Sequence, residues 1–94
     1  MDLNHIRQDI NQIDAQLVAL LERRMTLVDQ VTAFKRQTGK AVLDSKREVE
    51  VLNRVADLVE NSAYRATIRN TFSDIMSQSR AYQTERLTTD ENQA

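Results

Sequence analysis

The chain has 94 residues, 13 basic and 14 acidic side chains and a net charge of −1, which fits one small domain and argues against a protein devoted to nucleic-acid backbones or anionic membranes. It has no cysteine and one histidine, His5, which excludes disulfides and thiolate zinc sites and argues against a Ser–His–Asp triad. No apolar run approaches 18 residues, and the start MDLNHIRQDINQ lacks a cationic stretch followed by an apolar one, so we expect no membrane span or signal peptide and a cytosolic location.

The fold class follows from what the chain lacks. It has no proline and one glycine, Gly39, and only 4% of its residues are aromatic. Because β-proteins need turn residues and aromatic or β-branched strands, the composition predicts an all-α fold. We expect three helices per chain in one domain over residues 1–87, followed by a frayed polar tail over residues 88–94.

A very long first helix is predicted over residues 2–38. Its apolar residues follow one another in steps of three and four, apart from one step of seven between Leu20 and Leu27. This spacing is a heptad seam, formed by Leu3, Ile6, Ile10, Ile13, Leu17, Leu20, Leu27, Val31 and Phe34. Gly39 can provide the left-handed cap at its end. At 1.5 Å per residue this helix is about 55 Å long, which exceeds the width of a compact domain of this size. The seam therefore predicts a second chain that covers it.

Two shorter helices follow a linker over residues 39–44. Ser45-Lys46-Arg47-Glu48 has the spacing of a capping box, with Asp44 as a rival cap, and predicts a helix over residues 45–60. The next helix is predicted over residues 63–86. Both carry apolar stripes, which place Val55 in the second helix and Phe72 in the third helix at the core.

Polar residues interrupt the inward stripes of all three helices. They are Arg24 and Lys35 in the first, Asp44 and Glu48 at the start of the second, and Ser79 and Gln83 in the third. A buried polar group is costly unless it is paired, so several together indicate an enclosed polar cavity. Its cations, carboxylates, amide and hydroxyl include no metal-ligand set and no evident nucleophile. The set is suited to an anionic, hydroxylated small molecule.

Arg7 lies on the same helix but far from this cavity. It precedes Arg24 by 17 residues, or about 25 Å along the axis, and so cannot reach the cavity of its own chain. An antiparallel two-fold pairing of two long helices would bring it to the cavity of the partner chain.

These residues resemble the all-α class of chorismate mutase over residues 3–84. The similarity is carried by Arg7 in IRQDINQID, Arg24 in LVALLERR, Lys35 in VTAFK, the segment VLDSKRE and the segment FSDIMSQSRAYQ. All eight site positions of the family are filled in order, although each motif alone is weak.

The resemblance implies an intertwined helical homodimer with two shared active sites and no cofactor or metal. The implied reaction is the Claisen rearrangement of chorismate to prephenate, the branch step towards phenylalanine and tyrosine. Lys35, Gln83 and Glu48 would be catalytic, the first two as donors to the ether oxygen. The substrate would be held by Arg24, Arg47, Asp44 and Ser79 together with Arg7 of the partner chain.

Two other functions stay open from the sequence. An isochorismate pyruvate-lyase could use the same scaffold, and a non-catalytic dimeric helical module could use the same seam. Docking to another enzyme of the shikimate pathway is also open. Neither nucleic acid nor a membrane is an expected partner.

Overall fold

The computed structural model describes residues 1–93, with side chains as far as residue 89, and its architecture is all-helical. Helix α1 spans Leu3–Thr38, α2 spans Ser45–Leu58 and α3 spans Arg65–Gln93, with a short 3₁₀ turn at Ser62–Tyr64 before α3. The predicted all-α fold with a long first helix is confirmed. Within the described part of the chain, no helix is long and apolar enough to cross a membrane.

The ends of α1 match the sequence signals that predict them. Asp2 is the N-cap, and its carboxylate accepts a hydrogen bond from the Asn4 backbone N–H at 2.9 Å. At the other end Gly39 adopts a left-handed conformation with φ 72°, and its N–H donates to the Lys35 carbonyl at 2.8 Å. Glycine adopts this conformation without the steric cost of a Cβ. The helix makes the molecule 57 Å long.

The N-terminus of α2 decides between the two candidate caps. Asp44 is the N-cap, and its carboxylate accepts from the Arg47 backbone N–H at 3.1 Å, whereas Ser45 is the first helical residue. The capping box from Ser45 to Glu48 is therefore wrong, and the rival cap is right. The helix ends at Leu58 rather than residue 60, because Val59 is already extended with φ −73° and ψ 119°.

Helix α3 differs from its prediction at both ends. The residues from 62 to 64 form the 3₁₀ turn, which Asn61 caps by accepting from the Ala63 N–H at 2.9 Å. At the other end, α3 continues to Gln93, seven residues beyond the predicted end at Arg86. The segment TTDENQ contains no glycine or proline to stop a helix. The backbone of residues 88–93 is thus helical, whereas Ala94, the last residue of the expected tail, lies outside the described residues.

The hydrophobic core lies between α2 and α3. Val51 and Val55 of α2 and Met76 of α3 are each about 5–6% exposed, and partly buried apolar side chains surround them: Leu52, Ile68 and Phe72. Helix α1 packs against α3. This arrangement places one wall of a cleft on each of the three helices.

More than half of α1, from its N-terminal end to Arg23, is uncovered in the single chain. Every residue from Met1 to Arg23 is exposed to solvent. Among these residues are the first six members of the predicted seam, such as Ile13 at 54% and Leu20 at 55% exposure. Exposed apolar stripes of this length are unusual on monomers and are typical of surfaces that contact another molecule.

Candidate active site

A cavity of about 270 Å³ lies between the C-terminal half of α1, the start of α2 and the middle of α3. Its apolar wall is formed by side chains of all three helices and the α1–α2 loop: Leu27, Val28, Val31, Val42, Val51 and Met76. Its polar lining consists of charged, amide and hydroxyl side chains: Arg24, Lys35, Asp44, Arg47, Glu48, Ser79, Arg80 and Gln83. Seven of the eight site residues predicted from the sequence therefore meet in one cavity.

Lys35 and Gln83 are joined at the wall of this cavity. The Lys35 ammonium donates to the Gln83 amide oxygen at 3.0 Å and to the Val42 backbone carbonyl at 2.7 Å. Gln83 is only 6% exposed, and its amide nitrogen donates to the Ser79 carbonyl at 3.3 Å. Lys35 lies in the last turn of α1, where the helix dipole favours a cation. The two side chains are thus held by contacts to α3 and to the α1–α2 loop.

Arg24 and Ser79 form the second polar contact between α1 and α3. The guanidinium Nη1 of Arg24 donates to the Ser79 hydroxyl at 2.9 Å, and that hydroxyl donates to the Ile75 carbonyl one turn earlier at 2.9 Å. Ser79 is 6% exposed and Arg24 is partly buried. Arginine has five N–H donors in a planar fork, so this single contact leaves most of its donors for an anion in the cavity.

Asp44 and Arg47 enter the cavity from the start of α2. The Asp44 carboxylate is already used to cap the helix, as described above, which gives it a structural role whether or not it contacts a ligand. Arg47 is exposed, lies in the first turn of α2 and lines the cavity. Its guanidinium is therefore accessible to an anion that enters from solvent.

Glu48 has a partner, Arg80, that is not among the site residues predicted from the sequence. Its carboxylate Oε1 forms an ion pair with Nη1 of Arg80, and both residues line the cavity. A signal for Arg80 was present in the spacing, because it follows the buried Met76 by four residues and precedes Gln83 by three. Helical geometry places these three residues on one face of α3.

Arg7 is not brought to this cavity in the single chain. It is exposed on the second turn of α1, and its separation from Arg24 along the helix is about 25 Å. Its position agrees with the geometric argument that only another chain can use it at this cavity.

A hydrogen bond between Tyr82 and Asp29 fastens α3 to α1 outside the cavity. The phenol donates to the Asp29 carboxylate at 2.6 Å. This bond raises the pKa of the Tyr82 phenol above its usual value of about 10, because ionisation would remove the donated proton and place two negative charges side by side. Tyr82 immediately precedes Gln83, so the contact lies next to the Lys35–Gln83 pair.

The fold and the cavity define an all-α protein with a cavity lined by four cationic and two anionic side chains. The chain belongs to the chorismate mutase type II family, whose family model matches residues 6–84. The activity of this family is that of a chorismate mutase, which is an isomerase. No curated protein and no solved structure gave a match to the chain in the corresponding comparisons.

Proposed function

We propose that this protein is an active chorismate mutase, which converts chorismate to prephenate by an intramolecular Claisen rearrangement in phenylalanine and tyrosine biosynthesis. The observation that carries the proposal is the Lys35–Gln83 pair, held by hydrogen bonds at the wall of a cavity that also contains Arg24 and Arg47. A rearrangement within one molecule needs groups that orient the substrate and stabilise developing charge, which is what these side chains can supply.

The arginines account for orientation of the substrate. Chorismate carries two carboxylates, and its reactive chair-like conformer places the enolpyruvyl arm over the ring. Arg24 and Arg47 lie on different helices and would bind the two carboxylates from different sides. Ser79 fixes Arg24 through its hydroxyl. Holding the reacting atoms close together in this way lowers the entropic part of the barrier.

Lys35 and Gln83 account for stabilisation of the transition state. As the C–O bond breaks, negative charge accumulates on the ether oxygen. The Lys35 ammonium has three N–H donors, of which two reach Val42 and Gln83, and this leaves one for the ether oxygen. The Gln83 amide likewise has a second N–H beside the one directed at the Ser79 carbonyl. Both donors interact more strongly with the charged transition state than with the neutral ether.

The acidic side chains account for recognition of the ring hydroxyl. Glu48 lines the cavity and is positioned by an ion pair, so its carboxylate would accept a hydrogen bond from that hydroxyl. Asp44 lies one turn earlier at the same edge of the cavity. Its capping bond to Arg47 leaves other lone pairs of the carboxylate for the substrate.

A homodimer with shared sites completes the proposed enzyme. In support, the apolar seam of α1 is exposed from Leu3 to Leu20 in the single chain. Antiparallel pairing of two such helices would bury both seams at once. It would also bring Arg7 of one chain to the cavity of the other, where it would be the third guanidinium for the substrate carboxylates.

The test is incubation of the purified protein with chorismate and, separately, with isochorismate, followed by chromatography of the products. We expect prephenate from chorismate and much slower conversion of isochorismate. Release of pyruvate from isochorismate as the main reaction would instead identify an isochorismate pyruvate-lyase. A protein that converts neither substrate, and whose melting temperature a transition-state analogue does not raise, would be a non-catalytic helical module.

A further inference from the structure

The proposed reaction leaves Arg80 without a role, although its side chain lines the cavity. Arg80 of α3 reaches across to α2 and forms an ion pair with Glu48. The two side chains are 33% and 23% exposed, respectively, so the pair is partly shielded from water. Apart from the core packing, this ion pair is a direct link between α2 and α3 at the wall of the cavity.

The ion pair determines which oxygen of the Glu48 carboxylate can accept a hydrogen bond from a ligand, and in which orientation. Arg80 binds Oε1 of the carboxylate, which leaves the lone pairs of Oε2 for a donor inside the cavity. A glutamate has three rotatable side-chain bonds, and without a partner it would sample several rotamers. Arg80 therefore restricts the carboxylate to a small set of orientations at the cavity wall.

The ion pair also changes the charge that a ligand meets. The cavity lining contains four cationic side chains and two anionic ones when Arg80 is included, a net of two positive charges. Without Arg80 the net is one positive charge, and the negative charge of Glu48 faces the ligand with no guanidinium beside it. A dianion would then be repelled by the carboxylate that has to accept its hydroxyl.

We propose that Arg80 is a positioning residue that acts through Glu48: it orients the carboxylate towards the ring hydroxyl of the substrate and offsets its charge next to a dianion. This inference rests on the proposed function, because the hydroxyl and the two negative charges are those of chorismate. It makes Arg80 a determinant of affinity for the hydroxylated ring, without direct contact between Arg80 and the reacting atoms.

A double-mutant cycle on Arg80 and Glu48 tests the proposal with chorismate as the substrate. We expect Arg80→Met to lower kcat/KM by about tenfold to 100-fold, with the same division between kcat and KM as Glu48→Gln. In the Glu48→Gln background, Arg80→Met should lower kcat/KM by less than about threefold, because the carboxylate that Arg80 positions is already absent. Arg80→Lys should recover part of the loss by keeping one charged donor. Arg69→Met, an exposed change on the same helix, is the matched control and should retain wild-type kinetics.

The outcomes separate this inference from the proposed function. Wild-type kinetics in Arg80→Met would overturn the inference and leave the proposed function intact. Equal losses in both backgrounds would also overturn it, since Arg80 would then act on the substrate itself. If Arg80→Met fails to fold by circular dichroism, the same cycle is run with Arg80→Lys, whose smaller loss should likewise vanish in the Glu48→Gln background. A wild-type protein that does not convert chorismate would refute both proposals together.

Discussion

Replacement of Lys35 by alanine is the most direct test of the proposed chemistry that a single substitution can provide. The ammonium makes two hydrogen bonds, one to the Val42 carbonyl at 2.7 Å and one to the Gln83 amide oxygen at 3.0 Å. Lys35→Ala removes both bonds and also the donor proposed for the ether oxygen. The substitution should therefore affect turnover and stability, and the two effects can be measured separately.

Lys35→Ala should raise the activation free energy of the reaction by more than it lowers the free energy of unfolding. Removing one donor to a developing oxyanion costs about 100-fold to 1,000-fold in kcat, so we expect a decrease of at least about 100-fold. Gln83 is 6% exposed, and its amide oxygen loses the Lys35 donor. An unsatisfied buried polar group costs about 1–3 kcal/mol, and water that enters the space left by Lys35 reduces this cost. The free energy of unfolding should fall by an amount near the lower end of that range.

The assay is the rate of chorismate consumption, with thermal denaturation of the same preparations to establish that they are folded. Lys40→Ala is the matched control, because Lys40 is exposed and its ammonium lies 5.5 Å from the centre of the Phe34 ring, outside the cavity. It should retain activity to within about twofold, as other surface substitutions do. A folded Lys35→Ala variant with turnover close to that of the wild type would refute the role of Lys35.

Three further predictions concern the local structure. In urea denaturation, Asp44→Ala should lower the free energy of unfolding by about 1 kcal/mol through loss of the N-cap, and Ser45→Ala should lower it clearly less. A larger decrease for Ser45→Ala than for Asp44→Ala would show that Ser45 is the cap. Gly39→Ala should lower the free energy of unfolding by about 1–2 kcal/mol, because alanine is strained at the φ of 72° that Gly39 adopts, although an added Cβ meets no atom within 4 Å. An unchanged melting temperature would show that this backbone strain is absent. The pKa of Tyr82 should lie above its usual value in an ultraviolet pH titration, and Asp29→Asn should lower it, because the hydrogen bond to the Asp29 carboxylate is the main cause of the raised pKa. A titration curve that Asp29→Asn leaves unchanged would contradict the role of this carboxylate, since asparagine keeps an acceptor oxygen but loses the negative charge.

The long helix and its unpaired seam could be predicted from periodicity alone. Apolar residues in steps of three and four specify one helix, and the structure leaves the part of this seam from Leu3 to Leu20 exposed in the single chain. Boundaries were less predictable. Asp44 and Ser45 are both good N-cap residues, and only the backbone conformation decides between them. At the end of α3, the polar residues from 88 onward suggested fraying, yet nothing in them interrupts helical geometry.

The cavity could be predicted from polar residues on inward faces, but their pairing could not. Arg24, Lys35 and Gln83 stood out because each occupies a position where the stripe requires an apolar residue. Arg80 did not stand out, because arginine next to the stripe is ordinarily solvated. Its ion pair with Glu48 depends on the distance between α2 and α3, which no periodicity contains. The contacts between side chains on different helices are thus the part of the site that the sequence did not predict and the structure shows.

A complementation experiment tests the central claim that two chains build each site. Arg7→Ala and Lys35→Ala chains, each inactive alone, are unfolded together in equal amounts, refolded and assayed for chorismate consumption. Random pairing makes half of the dimers mixed, with one intact site in each, so the shared-site account predicts recovery of about a quarter of wild-type activity. Recovery of no activity, with dimers present by size-exclusion chromatography, would contradict it.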